Sequence, residues 1–275
     1  MNRLLILLLG WLAFFNAWAQ PAVPSYSVAI VPQFSAAQLR SEWHPLLERI
    51  GQAAGVRFDM RFYESIPAFE AGFLKGEPDF ILANPYHAVM ARQAQAYIPL
   101  VRDRQLLTGI LVVPAGSPVK SLRELDGKAI AFPAPNAFGA SLYMRALLTE
   151  EARIRFEPRY VKTHANVYRQ TAIGDVSAGG GVNQTLNDLT PELRAQLRVL
   201  YETPGAAPHP LEAHPRVPQP VRQKVIAAML ALAQEAAGQA LLKEARMPNP
   251  VAADYARDYA PLEKLRLEKH LVLDK

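Results

Sequence analysis

Short apolar runs alternate with amphipathic stretches along most of this chain. Tyr26–Val31 reads as a first strand, ended by Pro32. Ser35 is placed to cap a helix over 36–54, whose Leu39, Trp43, Leu46, Leu47 and Ile50 recur at helical spacing and form its core face. Pro45 falls inside that pattern and predicts a kink or a restart. Gly55 closes the helix and Val56–Phe62 returns as a strand. Ser65 caps a second helix running to Leu74, and Pro67 is tolerated in its first turn. Asp79–Ala83 is a short apolar strand, after which Asn84-Pro85 opens a third helix. Tyr97–Val101 and Thr108–Val113 are further strands, the second so apolar that it belongs inside a sheet. This βαβαβαβ order predicts a mostly parallel sheet between helices.

A second alternation begins after Ser121-Leu122-Arg123-Glu124, which has the spacing of a capping box. It runs through a strand at Lys128–Phe132, a helix from Gly139, a strand at Arg159–Lys162, a helix at Ala165–Ile173 and a strand at Val176–Ala178. Gly179-Gly180-Gly181 leads to a helix start at Val182, then a short helix at Thr190-Pro191-Glu192 and a strand at Arg198–Glu202. Pro204–Pro220 holds six prolines and two histidines in 17 residues, which predicts an ordered surface segment and no core element. Val221–Leu242 is an Ala-rich helical region, and short helices are expected from Val251 and Pro261. The fold class is therefore α/β, with two units, two chain crossings near Arg102–Thr108 and Tyr201–Gly205, and a cleft between them.

Composition narrows the setting. The chain has 275 residues, half of them apolar and 20% charged, as expected of a folded protein of about two domains. Arg3, the apolar run Leu4–Phe15 and Ala17-Trp18-Ala19 have the layout of a signal peptide over residues 1–19, so that export to the periplasm and a mature start at Gln20 are expected. No Cys follows, which argues against a lipoprotein; with no Cys anywhere, disulfides, thiolate metal sites and cysteine nucleophiles are excluded. The net charge of +5 becomes +4 without Arg3 (29 basic against 25 acidic residues) and is spread along the chain, giving no basic block for nucleic acid. His209 and His214 lack a third ligand of set spacing, so no metal and no cofactor are expected.

In open α/β sheets ligands bind beyond the carboxyl ends of the strands. Those ends carry Tyr63, Asn84, Tyr86, the loop Ala131–Ser141, His164 and the glycine run. The loop from Ala131 leads from a strand into a helix, so it presents the first unpaired N–H groups and the positive end of the helix dipole, which suits an anion. Phe138 and Gly139 supply backbone donors there, while Asn136 and Ser141 add side-chain donors. His164 follows the cap Thr163 at a second helix start, and Tyr168 lies one turn on, facing cleft or core. Gly180 and Gly181 would let a ligand approach the backbone closely, with Asn183 just beyond. Arg145, one turn into its helix, either points back at the ligand or is solvated.

Trp43-His44-Pro45-Leu46-Leu47, Asn84-Pro85-Tyr86, Ser121–Lys128 and Thr163-His164 followed by Gly174-Asp175-Val176 form an ordered set. In that order they resemble the phosphate/phosphite/phosphonate (PhnD-type) periplasmic substrate-binding proteins of ABC transporters, over nearly the whole mature chain. The resemblance implies a two-lobed periplasmic-binding-protein (type II, Venus-flytrap) fold with C-terminal helices returning to lobe 1. Residues 20–106 plus 205–275 would form lobe 1 and residues 107–204 lobe 2. It also implies a small oxyanion held between the lobes, with Asn136, Phe138, Gly139, Ser141 and His164 at the positions that match the family's site, while Tyr63, Asn84, Tyr86, Tyr168, Gly180, Gly181 and Asn183 are candidates by their place at the strand ends. Family members usually offer hydroxyls where this chain has Asn136-Ala137-Phe138, and the expected ligand is a small oxyanion of the phosphate, phosphite or phosphonate kind. The partner would be an ABC-transporter permease, with the protein itself a monomer. A membrane sensor, a histidine kinase or cyclase, is the alternative partner, and an enzyme on the same fold the third class. No GxSxG, HExxH, P-loop or GxGxxG stands in a fitting context.

Overall fold

The computed structural model describes residues 22–272; the signal peptide expected at 1–19 lies outside them. The first sheet is built from β1 (Ser25–Ile30), β2 (Arg57–Arg61), β3 (Phe80–Leu82) and β4 (Ile98–Asp103). These are linked by α1 (Ala36–Ala54), α2 (Ile66–Leu74) and α3 (Pro85–Gln95). The second sheet holds β5 (Gly109–Pro114), β6 (Ala129–Phe132), β7 (Glu157–Tyr160), β8 (Ala178–Val182) and β9 (Leu197–Glu202). Its helices are a continuous α4 (residues 138–151), α5 (His164–Ala172), α6 (Asn183–Asn187) and α7 (Pro191–Ala195). The chain then returns to the first sheet with β10 (Leu211–Ala213), α8 (Gln219–Leu232), α9 (Ala236–Glu244), β11 (Pro250–Ala252) and α10 (Tyr255–Asp258).

The strand orders are β11-β4-β10-β3-β1-β2 and β7-β6-β8-β5-β9. Within each sheet the crossover strands are parallel, but β10 runs antiparallel to both β3 and β4, and β5 antiparallel to both β8 and β9. Both sheets are therefore mixed. Two connections join the lobes and are stitched together by Leu107 and Ala206, which exchange both backbone hydrogen bonds at 2.9 Å. Among the described residues no single helix is long and apolar enough to cross a membrane.

Several local expectations are met by the atoms they named. Ser35, Ser65, Asn84 and Thr163 each accept a first-turn N–H, as caps should. Others are corrected. α1 passes through Pro45 without a break. Ser121 makes no cap; its hydroxyl donates to the Glu124 carboxylate (2.9 Å) at the head of a 3-10 turn. The proline-rich Pro204–Pro220 is no mere surface segment, since it inserts β10 into the middle of the first sheet. Residues 219–244 form two helices bent by 108°, and Val251 lies in strand β11, with no helix starting there.

The glycine run is also corrected. Gly179, Gly180 and Gly181 do not form a loop after the strand; they are the strand β8. Strand side chains alternate between faces, and each face here has no room for one. A Cβ on Gly179 would collide with Thr171 and Val167 of α5, and one on Gly181 with the Tyr168 ring. On the opposite face a Cβ on Gly180 would collide with the Ala140 carbonyl and Phe132. The three glycines thus let two helices lie directly on one strand.

Candidate functional site

The start of α4 is held from two sides. Gly180 of β8 lies under the Ala140 carbonyl, and Gly109 of β5 packs against the backbone of Gly139. The first helical hydrogen bond is Ser141 N–H to Ala137 O (2.8 Å), followed by Leu142 N–H to the same carbonyl (3.0 Å). The N–H groups of Phe138, Gly139 and Ala140 therefore precede the ladder. The opening turn, Phe138–Leu142, is π-type, a form concentrated at functional sites.

These residues face a cleft between the lobes. One part, about 30 Å³, is lined by Phe138, Gly139, Ala140, His164 and Thr185 from the second lobe and by Gln33, Phe34, His209 and Arg246 from the first. It shares Gln33, Phe34, Gln184, His209 and Arg246 with an adjoining part of about 60 Å³. His164 heads α5, and its Nδ1 lies 3.3 Å from the Thr185 hydroxyl. Thr185 in turn meets the Tyr168 hydroxyl (2.8 Å), which donates to Val182 O (3.3 Å). Gln33 Nε2 donates to His209 Nε2 (2.8 Å), which places the ring proton on Nδ1.

Burial pushes the His164 imidazole down to about 4, with the Arg246 charge adding to the effect. Burial likewise brings His209 down to about 3, aided by His87 and His164. Both rings are neutral near pH 7, each able to donate one N–H. Arg246 is the cation of the cleft, and it also spans its mouth. Its guanidinium pairs with Asp188 of the second lobe (2.5 Å), approaches Glu42 of the first (3.6 Å) and lies over the Phe34 ring (4.4 Å).

Family evidence agrees with this architecture. The sequence matches the family described as "ABC transporter, phosphonate, periplasmic substrate-binding protein" over residues 28–259. The chain belongs to that family. Its members are transport substrate-binding proteins of the periplasm, so the chain is a solute-binding protein by family. Among curated proteins none matches significantly. Two similar solved structures share the two-lobed fold. One is a binding-protein component of an ABC phosphonate transporter from Pseudomonas aeruginosa, 17% identical, with a TM-score of 0.76, covering 90% of this chain and 86% of that one. The other is PhnD1 from Prochlorococcus marinus in complex with methylphosphonate, 15% identical, with a TM-score of 0.78, covering 90% and 99%.

Of the residues singled out from sequence, Phe138, Gly139 and His164 line the cleft of this binding protein. The rest lie elsewhere, for stated reasons. Gly180 and Gly181 are covered by helices, and Tyr168 is wholly buried behind His164 and Thr185. Asn183 pins a lobe crossing, accepting from Thr108 N–H (3.2 Å) and donating to Leu106 O (3.3 Å). Asn84 and Asn136 meet each other where the lobes touch: the Asn84 amide donates to Asn136 O (3.1 Å), and its Oδ1 caps α3. The Asn136 amide donates to Glu70 (2.8 Å) and to Val272 O (2.8 Å) while accepting from Val272 N–H (3.0 Å), so its side chain is fully used. Tyr86 donates to Glu268 (3.0 Å), and burial with that carboxylate pushes its hydroxyl up to about 12. Tyr63 packs edge-on against Phe69 and over Gly72. Ser141 is fully buried and accepts from Arg145 (3.3 Å). Arg145 turns away from the cleft and donates to His270 O (2.7 Å).

Sequence reasoning did not place Gln33, Phe34, Gln184, Thr185 or Arg246 at the cleft, and it weighed His209 only as a metal ligand. Gln33 and Phe34 follow β1 at its carboxyl end, so the strand-end rule reaches them. Thr185 and Gln184 adjoin Asn183, which was singled out. His209 and Arg246 arrive through the returning chain and carry no local signal.

Proposed function

We propose that this protein captures a small oxyanion of the phosphate, phosphite or phosphonate kind in the inter-lobe cleft and presents it, in the periplasm, to an ABC-transporter permease. The observation that carries the reading is the start of α4. Phe138, Gly139 and Ala140, whose N–H groups precede the helical ladder, line the same cleft as His164, Thr185 and Arg246. A helix start favours an anion through its free donors and its dipole, and neutral imidazoles add donors without needing protonation. Ligand contacts from both lobes would favour the closed arrangement by their differential affinity, which is what a permease reads.

A thermal-shift panel on the mature protein tests this. It includes phosphate, phosphite, methylphosphonate, arsenate, sulfate and small organic phosphonates. A ligand present at 100 times its Kd stabilises by about 2.7 kcal/mol, or roughly 5–11 °C for a chain of this size. No shift with any of the oxyanions would reject the reading.

A further inference from the structure

The chain crosses between the lobes twice, and the two crossings meet at Leu107 and Ala206. The carboxyl-terminal segment adds a third link, which is not covalent. After α10 the chain makes a 3-10 turn over Leu267–His270 and lies against α4 of the second lobe. Its first-lobe end is held by Tyr86, whose hydroxyl donates to Glu268 (3.0 Å). Leu267 is fully buried in a cluster that takes Phe69 and Tyr86 from the first lobe and Phe138, Tyr143 and Leu147 from the second.

The polar contacts of this segment with the second lobe fall on α4 or just before it. The Asn136 amide forms a two-bond ring with the Val272 main chain, donating to its carbonyl (2.8 Å) and accepting from its N–H (3.0 Å). Arg145 donates to the His270 carbonyl (2.7 Å), and the His270 ring lies 2.9 Å from the Glu150 carboxylate. Asn136 also donates to Glu70 of the first lobe (2.8 Å), so the segment grips the point where the lobes touch.

This grip is reversible in its chemistry. The Asn136–Val272 pair exchanges two neutral hydrogen bonds, each of which shifts an equilibrium by roughly two- to tenfold. The half-buried Arg145 donates to the carbonyls of Pro135 and His270 and to the Ser141 hydroxyl, with no carboxylate among these acceptors. A desolvated cation without a counter-charge regains water on release, which offsets part of the loss. The His270–Glu150 pair is partly exposed and adds little.

We infer that residues 267–272 form a clasp from the first lobe that closes on α4 and holds the lobes together before any ligand binds. Asn136 and Arg145 are then positioning residues, which set how much of the protein stands closed without lining the cleft. Apparent affinity scales with the fraction already in the binding-competent state, so the clasp tunes affinity from outside the cleft.

The inter-lobe distance in the ligand-free mature protein tests this. The chain has no Cys, so nitroxide labels at Gln52→Cys on α1 and Ile173→Cys at the end of α5, both exposed, report one distance by double electron–electron resonance. The labelled chain with no other change should give one dominant short distance. Ending the chain at Leu271 removes both bonds to Val272 and should raise the ratio of long to short distances at least about fivefold. Val272→Pro removes only the N–H and should raise it by roughly two- to tenfold, with far-UV circular dichroism unchanged in both. Should the shortened chain fail to fold, Val272→Pro carries the test alone. A distribution already mostly long before either change, or one that stays the same in either folded variant, would overturn the clasp.

Discussion

Glu212 sits in the middle of β10, fully buried, with both carboxylate oxygens unpartnered among the described residues. Leu211 and Ala213 pack into the layer containing α1 and α8, so the pleat turns Glu212 to the other face, near Tyr97, Tyr255 and Tyr259. Burial raises its carboxyl from an ordinary 4.5 to about 8. The folded state therefore holds this proton between those pH values while the unfolded state has released it. Stability from this group is fully present below pH 4.5 and is lost as pH rises toward 8. At pH 7 the 2.5-unit gap above the unfolded value corresponds to about 3 kcal/mol. Glu212→Gln keeps the shape and removes the titration. The variant should match the wild type near pH 4.5, gain about 1.4 kcal/mol on it per pH unit, and lead by about 3 kcal/mol at pH 7. Urea unfolding of both proteins at pH 5, 6, 7 and 8 measures the difference, from which the depressed His164 and His209 cancel. A difference that stays constant across this range would refute the assignment.

Other expectations follow from the cleft and its supports. Gly180→Val drives a side chain into the Ala140 carbonyl; it should cost about 1–3 kcal/mol or more and abolish oxyanion binding, while circular dichroism shows the fold retained. His164→Ala should weaken binding at least tenfold, about 1.4 kcal/mol, by calorimetry. A bound anion favours the imidazolium, so His164 should take up a proton on binding. Affinity should then rise as pH falls from about 6.5 toward 4, an increment absent from His164→Ala when the two are titrated with the same ligand. Asn136→Ala leaves a Glu70 oxygen without this buried donor and releases Val272; the urea midpoint should fall by the equivalent of about 2–4 kcal/mol.

How much of this was legible in the sequence depends on how local each signal is. The two α/β alternations and the caps at Ser35, Ser65, Asn84 and Thr163 act within a few residues, and they were readable. β10 was not, because a three-residue strand among prolines shows no alternation and carries a carboxylate where a core residue is expected. Strand-end geometry singled out the start of α4 and His164, which line the cleft. Asn84 and Asn136 proved to be hydrogen-bonded within the protein. An amide near a helix start suits a ligand and a cap equally, and only the meeting of the lobes showed that both were already hydrogen-bonded. The glycine run was noticed for its close approach, but a helix takes the place assigned to a ligand. Arg246 reaches the cleft from 62 positions beyond Gln184, after the chain has crossed back to the first lobe.

In the proposed complex an oxyanion sits between the start of α4 and His164. A crystal structure of the mature protein grown with methylphosphonate tests it most directly. The phosphonate head should lie within hydrogen-bond distance of the Phe138, Gly139 and Ala140 N–H groups and the His164 ring. A methylphosphonate bound elsewhere, or a cleft that remains without one at saturating concentration, would contradict it.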